Sequence, residues 1–341
     1  MTAATRIALF VLPLIGMHVG TPVEAANTLQ LVRSHGFVLC GVSNGVPGFS
    51  APDAHGKWSG LDVDLCRALA AAIFGDESKA KFRPLEPGEG LTALRQGEID
   101  ILTRATEWTL SLEAEGGLRF VGPSFFDGQA ILVRKDLGVS SLLQLSGARI
   151  CMQERAELRQ GLEAYFGARG MPIETVAFER QAEAVKAYAQ LRCEALTDEL
   201  SAMPGVRQAL PSPEEHAVLV QLISNEPMGP VVRQGDETWQ TIARWTLHAL
   251  LAAEEVGLTQ KVARQVKAPT QATAKRFLAV EADLGLHLGL APDWAEAIVG
   301  QVGNYAEVFD RNLGAHGPLG LERGNNNLWS HGGMMIVPAM R

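Results

Sequence analysis

The strongest constraint on the fold is an alternation of short apolar runs with amphipathic stretches, which occurs twice along the chain. The first series begins with "FVLCGV", continues through a helical pattern from Asp62 to Phe74, and ends with "IDILT". The second begins with "ARICMQ" and ends with "CEALT", with helical patterns at "LRQGLEAYFGARG" and "QAEAVKAYAQL". Strands that alternate with helices favour parallel α/β sheets, so the two series predict two α/β lobes.

Two segments are predicted to connect these lobes. The continuous strand-like run "FFDGQAILVRK" lies between the two series, and Pro227, Gly229 and Pro230 mark a return passage. After the return, "ETWQTIARWTLHALLAAEEVG" predicts an amphipathic helix that ends at Gly257, with Trp239 and Trp245 as core residues.

The N-terminus has the pattern of a secretory signal peptide. Arg6 precedes the apolar run "IALFVLPLIG", and "VEA" provides a small-residue cleavage site before Ala26. The alternative is an uncleaved anchor, although Pro13 and Gly16 interrupt a run that is already short for a bilayer. We therefore predict that residues 1–25 are removed and that the protein is exported to the periplasm.

Composition and motifs exclude several function classes. With 341 residues, 47% of them hydrophobic, the chain can bury substantial cores. Its net charge is −8 and no block of Lys or Arg forms a basic stripe, so nucleic acid is not a predicted partner. The nucleophile-elbow, zinc-protease, Walker and dinucleotide motifs do not occur. No enzyme activity, cofactor or metal is predicted.

Export favours disulfides for the four cysteines, which allow three pairings. Cys40 ends the apolar run "GFVLC" and Cys66 lies in the following amphipathic stretch. Cys151 ends "GARIC" and Cys193 lies in "LRCEAL", which are two strand-like starts in the second series. We predict the pairs Cys40–Cys66 and Cys151–Cys193, since each joins segments of one lobe. Zinc is the alternative, but no C-x-x-C spacing supports it.

The candidate site lies where strands end. Open α/β sheets carry ligand groups at the carboxyl ends of their strands. The loops "SNGVPGFSAPD", "RATEWT", "QERAEL" and "TDELS" each follow a predicted strand and should face one crevice.

These features together resemble a known family. The stretches "GLDVDLCRALAAAIFGD", "FFDGQAILV", "ISNEPMGPVVRQGD", "VGNYAEVFDRNLG" and "LERGNNNLW" are similar to periplasmic substrate-binding proteins of ABC importers for polar amino acids, especially the general L-amino-acid branch. The resemblance implies a type II periplasmic-binding-protein fold, in which two sheet-and-helix lobes joined by a two-strand hinge close on a small molecule. The implied divisions are lobe 1 over 26–127 and 228–280, lobe 2 over 128–227, and a C-terminal extension over 281–341. A monomer that delivers its ligand to an inner-membrane permease is also implied.

The candidate ligand-binding residues depart from the family pattern. Relatives carry a T-x-x-R motif whose Arg clamps the α-carboxylate, whereas Thr109 here is followed at that spacing by Leu112. A G-T-T-T loop is replaced by one that begins with Arg155, and the acidic residue for the α-amino group is Glu199. The ligand-binding residues we predict are Phe49, Arg104, Thr106, Glu107, Trp108, Thr109, Arg155 and Glu199.

Two alternatives follow from these departures. The chain is either an amino-acid binder with altered specificity or a paralogue that has lost amino-acid binding. A dehydratase that uses the cleft carboxylates Glu107, Glu154, Glu157 and Glu199 is a further alternative. For the binder, we expect weak affinity for common L-amino acids and better affinity for ligands with an added cationic group.

Overall fold

A computed structural model of the chain describes residues 27–114, 116–265 and 284–340. The predicted signal peptide, residues 1–25, lies outside the described residues. Within these ranges, none of the helices has both the length and the hydropathy needed to cross a bilayer.

The elements alternate as the sequence pattern predicts. The strands are β1 Val38–Ser43, β2 Ala51–Pro52, β3 Trp58–Ser59, β4 Ala80–Leu85, β5 Ile101–Glu107, β6 Leu118–Phe120, β7 Phe125–Asp127, β8 Gln129–Arg134, β9 Arg149–Gln153, β10 Glu174–Phe178, β11 Ala195–Glu199, β12 His216–Val218 and β13 Glu226–Arg233. The helices are α1 Thr28–His35, α2 Leu61–Phe74, α3 Gly90–Arg95, α4 Leu110–Ala114, α5 Ala156–Gly167, α6 Gln181–Ala189, α7 Met203–Gln208, α8 Glu237–Glu255, α9 Gln260–Gln265, α10 Trp294–Val302 and α11 Tyr305–Asn312.

The strands form two principal sheets, one in each lobe. Sheet 1 has the order β4-β1-β5-β13-β6, with β7 also paired to β13, and sheet 2 has the order β10-β9-β11-β8-β12. A small hairpin, β2-β3, lies apart from both. All strands of sheet 2 come from residues 129–218. Sheet 1 combines strands that precede this range in the sequence with β13, which follows it.

Both principal sheets are mixed, so the prediction of parallel sheets is wrong for one strand in each. In sheet 1, β13 runs antiparallel to β5, β6 and β7, while β1, β4 and β5 are parallel. In sheet 2, β8 runs antiparallel to β11 and β12. The reason is topological: β8 directly follows the crossing into lobe 2, and β13 directly follows the crossing back into lobe 1. Both strands therefore start at the edge where the parallel strands end.

The core of lobe 1 surrounds α2, which is buried along most of its length. α2 ends at Gly75, whose φ of 65° is readily adopted only by glycine. α8 packs against α2 and begins where Asp236 accepts a hydrogen bond from the Trp239 amide. Trp239 is fully buried, as predicted, and its indole N–H donates to the Asp100 carbonyl at 3.0 Å.

Two disulfides fasten the lobes internally, and both predicted pairs are confirmed. Cys40 on β1 is bonded to Cys66 on α2, with 6.2 Å between Cα atoms. Cys151 on β9 is bonded to Cys193, with 5.7 Å between Cα atoms. Each bond joins a central strand to a neighbouring segment of the same sheet-and-helix unit, and all four sulfurs are used, which leaves no thiolate for zinc.

Candidate functional site

Two segments cross between the sheets, and the candidate site lies beside them. We call residues 125–129 and 223–228 the first and second crossing segments. Asp127 and Glu226 face each other in register between β7 and β13. A Cβ atom added to Gly128 would lie 2.3 Å from the Ser224 carbonyl oxygen. The two backbones therefore approach so closely that only glycine fits at position 128.

Lobe 2 contributes a joined basic and acidic pair. Arg155 follows β9 at the start of α5, and its Nη2 lies 2.8 Å from Oε1 of Glu199 at the end of β11. Its Nη1 also lies 3.8 Å from Oδ1 of Asp198. The structure therefore brings together the two lobe-2 residues that the sequence singled out. Glu154 pairs instead with Arg159.

Glu199 stands in an environment that disfavours its charge. Burial raises the pKa of this carboxyl to about 7, the nearby carboxylates of Glu226 and Asp127 add to the rise, and Arg155 opposes it. Its second oxygen, Oε2, is buried and has no hydrogen-bond partner. A buried acceptor without a donor is unfavourable, so this oxygen is a position where a donor from a ligand would be stabilising.

The crossing segments hold two acidic residues that the sequence analysis missed. Asp127 is buried and accepts hydrogen bonds from the Ser201 amide at 3.1 Å and the Ser201 hydroxyl at 2.5 Å. Glu226 accepts from the Ser224 hydroxyl at 2.6 Å. Burial, outweighing these donors, raises the pKa of Asp127. The sequence did contain a signal that could have identified them, because each is an acidic residue within a predicted crossing segment.

Lobe 1 presents the end of β5 to the crevice. Glu107 is exposed, and the pKa of its carboxyl is raised by partial burial and then by Glu226 and Glu157. Trp108 is 47% exposed and stacks on Phe120, with ring centroids 4.9 Å apart. Thr106, one residue before Glu107, lies opposite Gly229 in the sheet.

The remaining predicted residues have structural contacts in lobe 1. Thr109 accepts a hydrogen bond from the Leu112 amide at 3.3 Å, and Arg104 donates to the Ser43 hydroxyl at 3.3 Å. Leu112 is 7% exposed and packs in an apolar cluster, so it lies in the core. Phe49 is 4% exposed and packs edge-on against Phe125, and it presents little surface to the crevice.

A further buried carboxyl supports the β5 loop. Asp62, at the start of α2, accepts from the Ala105 amide at 3.4 Å, while its other oxygen has no partner. Burial raises the pKa of Asp62 to about 7, against the Ala105 hydrogen bond and the Arg104 charge. Ala105 has a φ of 47°, a left-handed conformation that is costly for alanine. Asp62 therefore stabilises a strained residue next to the predicted ligand-binding run.

The charges around the crossing segments are predominantly negative. The carboxyls of Glu107, Asp127, Glu199 and Glu226 influence one another, and Arg155 is the cation that pairs with Glu199. Such an arrangement complements a positively charged group. Among the residues that the structure describes, no three His, Cys, Asp or Glu side chains group closely enough to hold a metal ion.

Comparison with known proteins agrees with this architecture. Residues 38–264 match the model of bacterial extracellular solute-binding proteins, family 3. The chain is 44% identical over 325 residues to the general L-amino acid-binding periplasmic protein AapJ of Rhizobium johnstonii, covering 95% of each chain. It is 41% identical over 318 residues to the glutamate/glutamine/aspartate/asparagine-binding protein BztA of Rhodobacter capsulatus, covering 93% of this chain and 94% of that protein.

A solved structure shows the same fold. An ABC-transporter periplasmic binding protein from Brucella ovis, with glutathione bound, is 45% identical and superposes with a TM-score of 0.76 over 93% of this chain and all of that one. The predicted type II periplasmic-binding-protein fold is therefore confirmed. This family consists of binding proteins rather than enzymes. The chain belongs to the family 3 bacterial extracellular solute-binding proteins.

Proposed function

We propose that this protein is the solute-binding component of an ABC importer and that it captures an amino-acid-like solute in the crevice between its lobes. The observation that carries the proposal is the Arg155–Glu199 pair at the end of sheet 2, with the unpartnered Glu199 Oε2 beside it. The names of the relatives support amino-acid binding in the periplasm, and the name of the Brucella structure supports a role with an ABC transporter. We also propose the lobe boundaries given above, a monomer, and delivery to an inner-membrane permease.

The pair supplies both charges that a zwitterion needs. A ligand ammonium group would donate to the Glu199 carboxylate, and a ligand carboxylate would accept from Arg155. A guanidinium has five N–H donors, and Glu199 and Asp198 engage only some of them. Closure of the two lobes would then bring Glu107 and Trp108 of lobe 1 over the ligand, in a hinge motion about the crossing segments.

Specificity should follow the excess of negative charge. The family's carboxylate clamp is absent because position 112 holds Leu in place of Arg, and Leu112 packs in the core of lobe 1. The loss of a bidentate contact worth about 3 kcal/mol corresponds to about two decades of affinity. Neutral and acidic L-amino acids should therefore bind in the high-micromolar range or more weakly. Ligands with a second cationic group should bind better, because Glu107, Glu199 and Glu226 favour them.

The test is a ligand panel on the oxidised mature protein, by thermal shift and then by calorimetry. The panel contains L-leucine, L-glutamate, L-arginine, putrescine and glutathione, of which the last is bound by the Brucella relative. We expect L-arginine to bind more tightly than L-leucine and L-glutamate. Nanomolar binding of a neutral amino acid would contradict the specificity, and no binding by any member would contradict the proposed ligand class.

A pair of matched variants tests the role of Arg155. Arg155→Ala should abolish binding of any ligand that carries a carboxylate. Arg159→Ala removes the same charge one turn further along α5, where Arg159 pairs with Glu154, and should leave binding unchanged. Equal effects of the two variants would show that Arg155 acts only through net charge.

The core position of Leu112 favours a second candidate function. A paralogue that has lost amino-acid recognition would retain the two lobes and the crevice but would bind a solute without an α-carboxylate. Putrescine, a diamine without a carboxylate, represents this case in the panel. Binding of putrescine with no response to L-arginine would favour the paralogue.

A further inference from the structure

The C-terminal part of the chain contacts the first crossing segment directly. The family match ends at residue 264, yet Asn326 lies far beyond it and touches β7. The Phe126 amide donates to Asn326 Oδ1 at 2.7 Å, and Asn326 Nδ2 donates to the Phe126 carbonyl at 3.0 Å. One side-chain amide thus bonds both polar groups of a strand residue, as a neighbouring strand would.

The geometry of β7 explains why this contact is needed. Of the strands in the described ranges, β7 pairs with β13 alone, so its other edge has no strand partner. Asn326 is 1% exposed and occupies that edge at Phe126. The Tyr305 hydroxyl donates to the Ser124 carbonyl at 2.8 Å, two residues earlier. The extension therefore holds the chain at two points, one in β7 and one just before it, immediately before the chain crosses to lobe 2.

Asn326 is itself anchored to the body of lobe 1. Its carbonyl accepts two hydrogen bonds from the Arg323 guanidinium, at 3.1 and 2.8 Å. Arg323 also makes two bonds to Glu254 on α8, at 2.9 and 3.1 Å, and lies over the rings of Tyr305 and Phe309. The contact with β7 is thus rigidly connected to the longest helix of the lobe.

The residue after Phe126 connects this anchor to the site. Asp127 accepts from the amide and hydroxyl of Ser201, and the Leu200 amide donates to the Gly128 carbonyl. Leu200 and Ser201 directly follow Glu199. A displacement of β7 would therefore move the turn that orients Glu199.

We infer that Asn326 is a positioning residue for the hinge: it fixes β7 to lobe 1, confines the bending to Gly128 and the residues after it, and so sets the orientation of the Glu199 turn. This inference goes beyond the proposed function, because it concerns the motion of the lobes whichever solute they enclose.

The first experiment compares Asn326→Ala with Asn312→Ala in ligand-free protein by amide hydrogen exchange. Asn312 is a matched control because it is also buried in the extension and makes two hydrogen bonds, to Asp64 and Val308, away from the crossing segments. In Asn326→Ala, the Leu200 and Ser201 amides should exchange about fivefold faster, the factor that one net hydrogen bond represents. Asn312→Ala should leave those two amides at the wild-type rate.

The second experiment measures the distance between lobes. Nitroxide labels are attached to Lys81→Cys in lobe 1 and Lys186→Cys in lobe 2, both of which are exposed positions. Double electron–electron resonance then gives the distribution of distances between the two labels. Asn326→Ala should broaden the distribution, and Asn312→Ala should not. If Asn326→Ala does not fold, Tyr305→Phe, which removes only the bond to Ser124, replaces it and should produce the same changes to a smaller degree.

Wild-type exchange at Leu200 and Ser201 together with an unchanged distance distribution would overturn the inference, and Asn326 would then be a structural residue only. Equal changes in Asn326→Ala and Asn312→Ala would overturn it as well, because they would reflect general destabilisation. Neither measurement uses a ligand, so failure of the proposed function would leave both results interpretable.

Discussion

At the scale of single residues, Glu199 makes the stability of the protein depend on pH. Its pKa is about 7 in the folded protein against an ordinary value of 4.5, so the folded state binds more protons than the unfolded state between these values. Stability should therefore fall as pH rises from about 4.5 through 7. Glu199→Gln should remove this loss of stability. In urea unfolding at pH 5, 6, 7 and 8, the free energy of unfolding of the variant relative to that of the wild type should therefore increase as pH rises.

Glu194→Gln is the control for that series. Arg149 holds the pKa of Glu194 down to about 2, first through a side-chain hydrogen bond, so its stabilising contribution is present above pH 4.5 and lost only as pH falls toward 2. The difference between Glu194→Gln and wild type should therefore be constant from pH 5 to 8. A Glu199→Gln profile parallel to that of Glu194→Gln would refute the environment we assign to Glu199.

At the scale of elements, the close approach of the crossing segments depends on glycine. Gly128→Ala would place a methyl group 2.3 Å from the Ser224 carbonyl oxygen, and backbone shifts of this kind cost about 1–3 kcal/mol. Gly167→Ala at the end of α5 meets no atom within 4 Å and should instead stabilise by about 0.5–1 kcal/mol. Urea unfolding of both variants checks the prediction, and a neutral Gly128→Ala would show that the segments separate easily.

The disulfides act on elements within a lobe. The separations of 26 and 42 residues predict about 3–4 kcal/mol for each bond in the chain-entropy model. Replacement of Cys151 and Cys193 by Ser should lower the free energy of unfolding by about this amount. Because both cysteines lie in lobe 2, hydrogen exchange should increase mainly among residues 129–218. Equal increases in both lobes would show that the lobes unfold as one unit.

At the scale of the whole molecule, the extension is attached to lobe 1 through a largely buried ion pair. The side chains of Arg323 and Glu254 are 19% and 11% exposed. Arg323→Met would leave a buried unpaired carboxylate and should cost about 3–5 kcal/mol. The double variant Arg323→Met/Glu254→Met should recover part of this, although the Arg323 bonds to the Asn326 carbonyl stay lost. Chemical unfolding of Arg323→Met, Glu254→Met and the double variant measures the coupling, and additive losses would argue against an ion pair.

The sequence predicted local features better than distant ones. The helix predicted over Asp62–Phe74 lies at Leu61–Phe74, because apolar spacing and Gly75 define it locally. The prediction of parallel sheets was wrong for β8 and β13, since the alternation of strands and helices does not show that each of these strands directly follows a crossing between the lobes. Within the site, Arg155 and Glu199 were found through the family pattern. Asp127 and Glu226 were missed because only the pairing of the crossing segments brings them together.

The division of the strands between the sheets has a consequence for biosynthesis. A chain that emerges from its N-terminus presents every strand of sheet 2, residues 129–218, before Glu226–Arg233, the strand that lies between β5 and β6 of sheet 1. Lobe 1, which begins first, is thus completed last. Its earlier strands lack β13 during the interval in which lobe 2 already has all of its strands. Cys40 and Cys66 both precede this interval, so their bond can close during the wait and hold β1 against α2 until the last strand arrives.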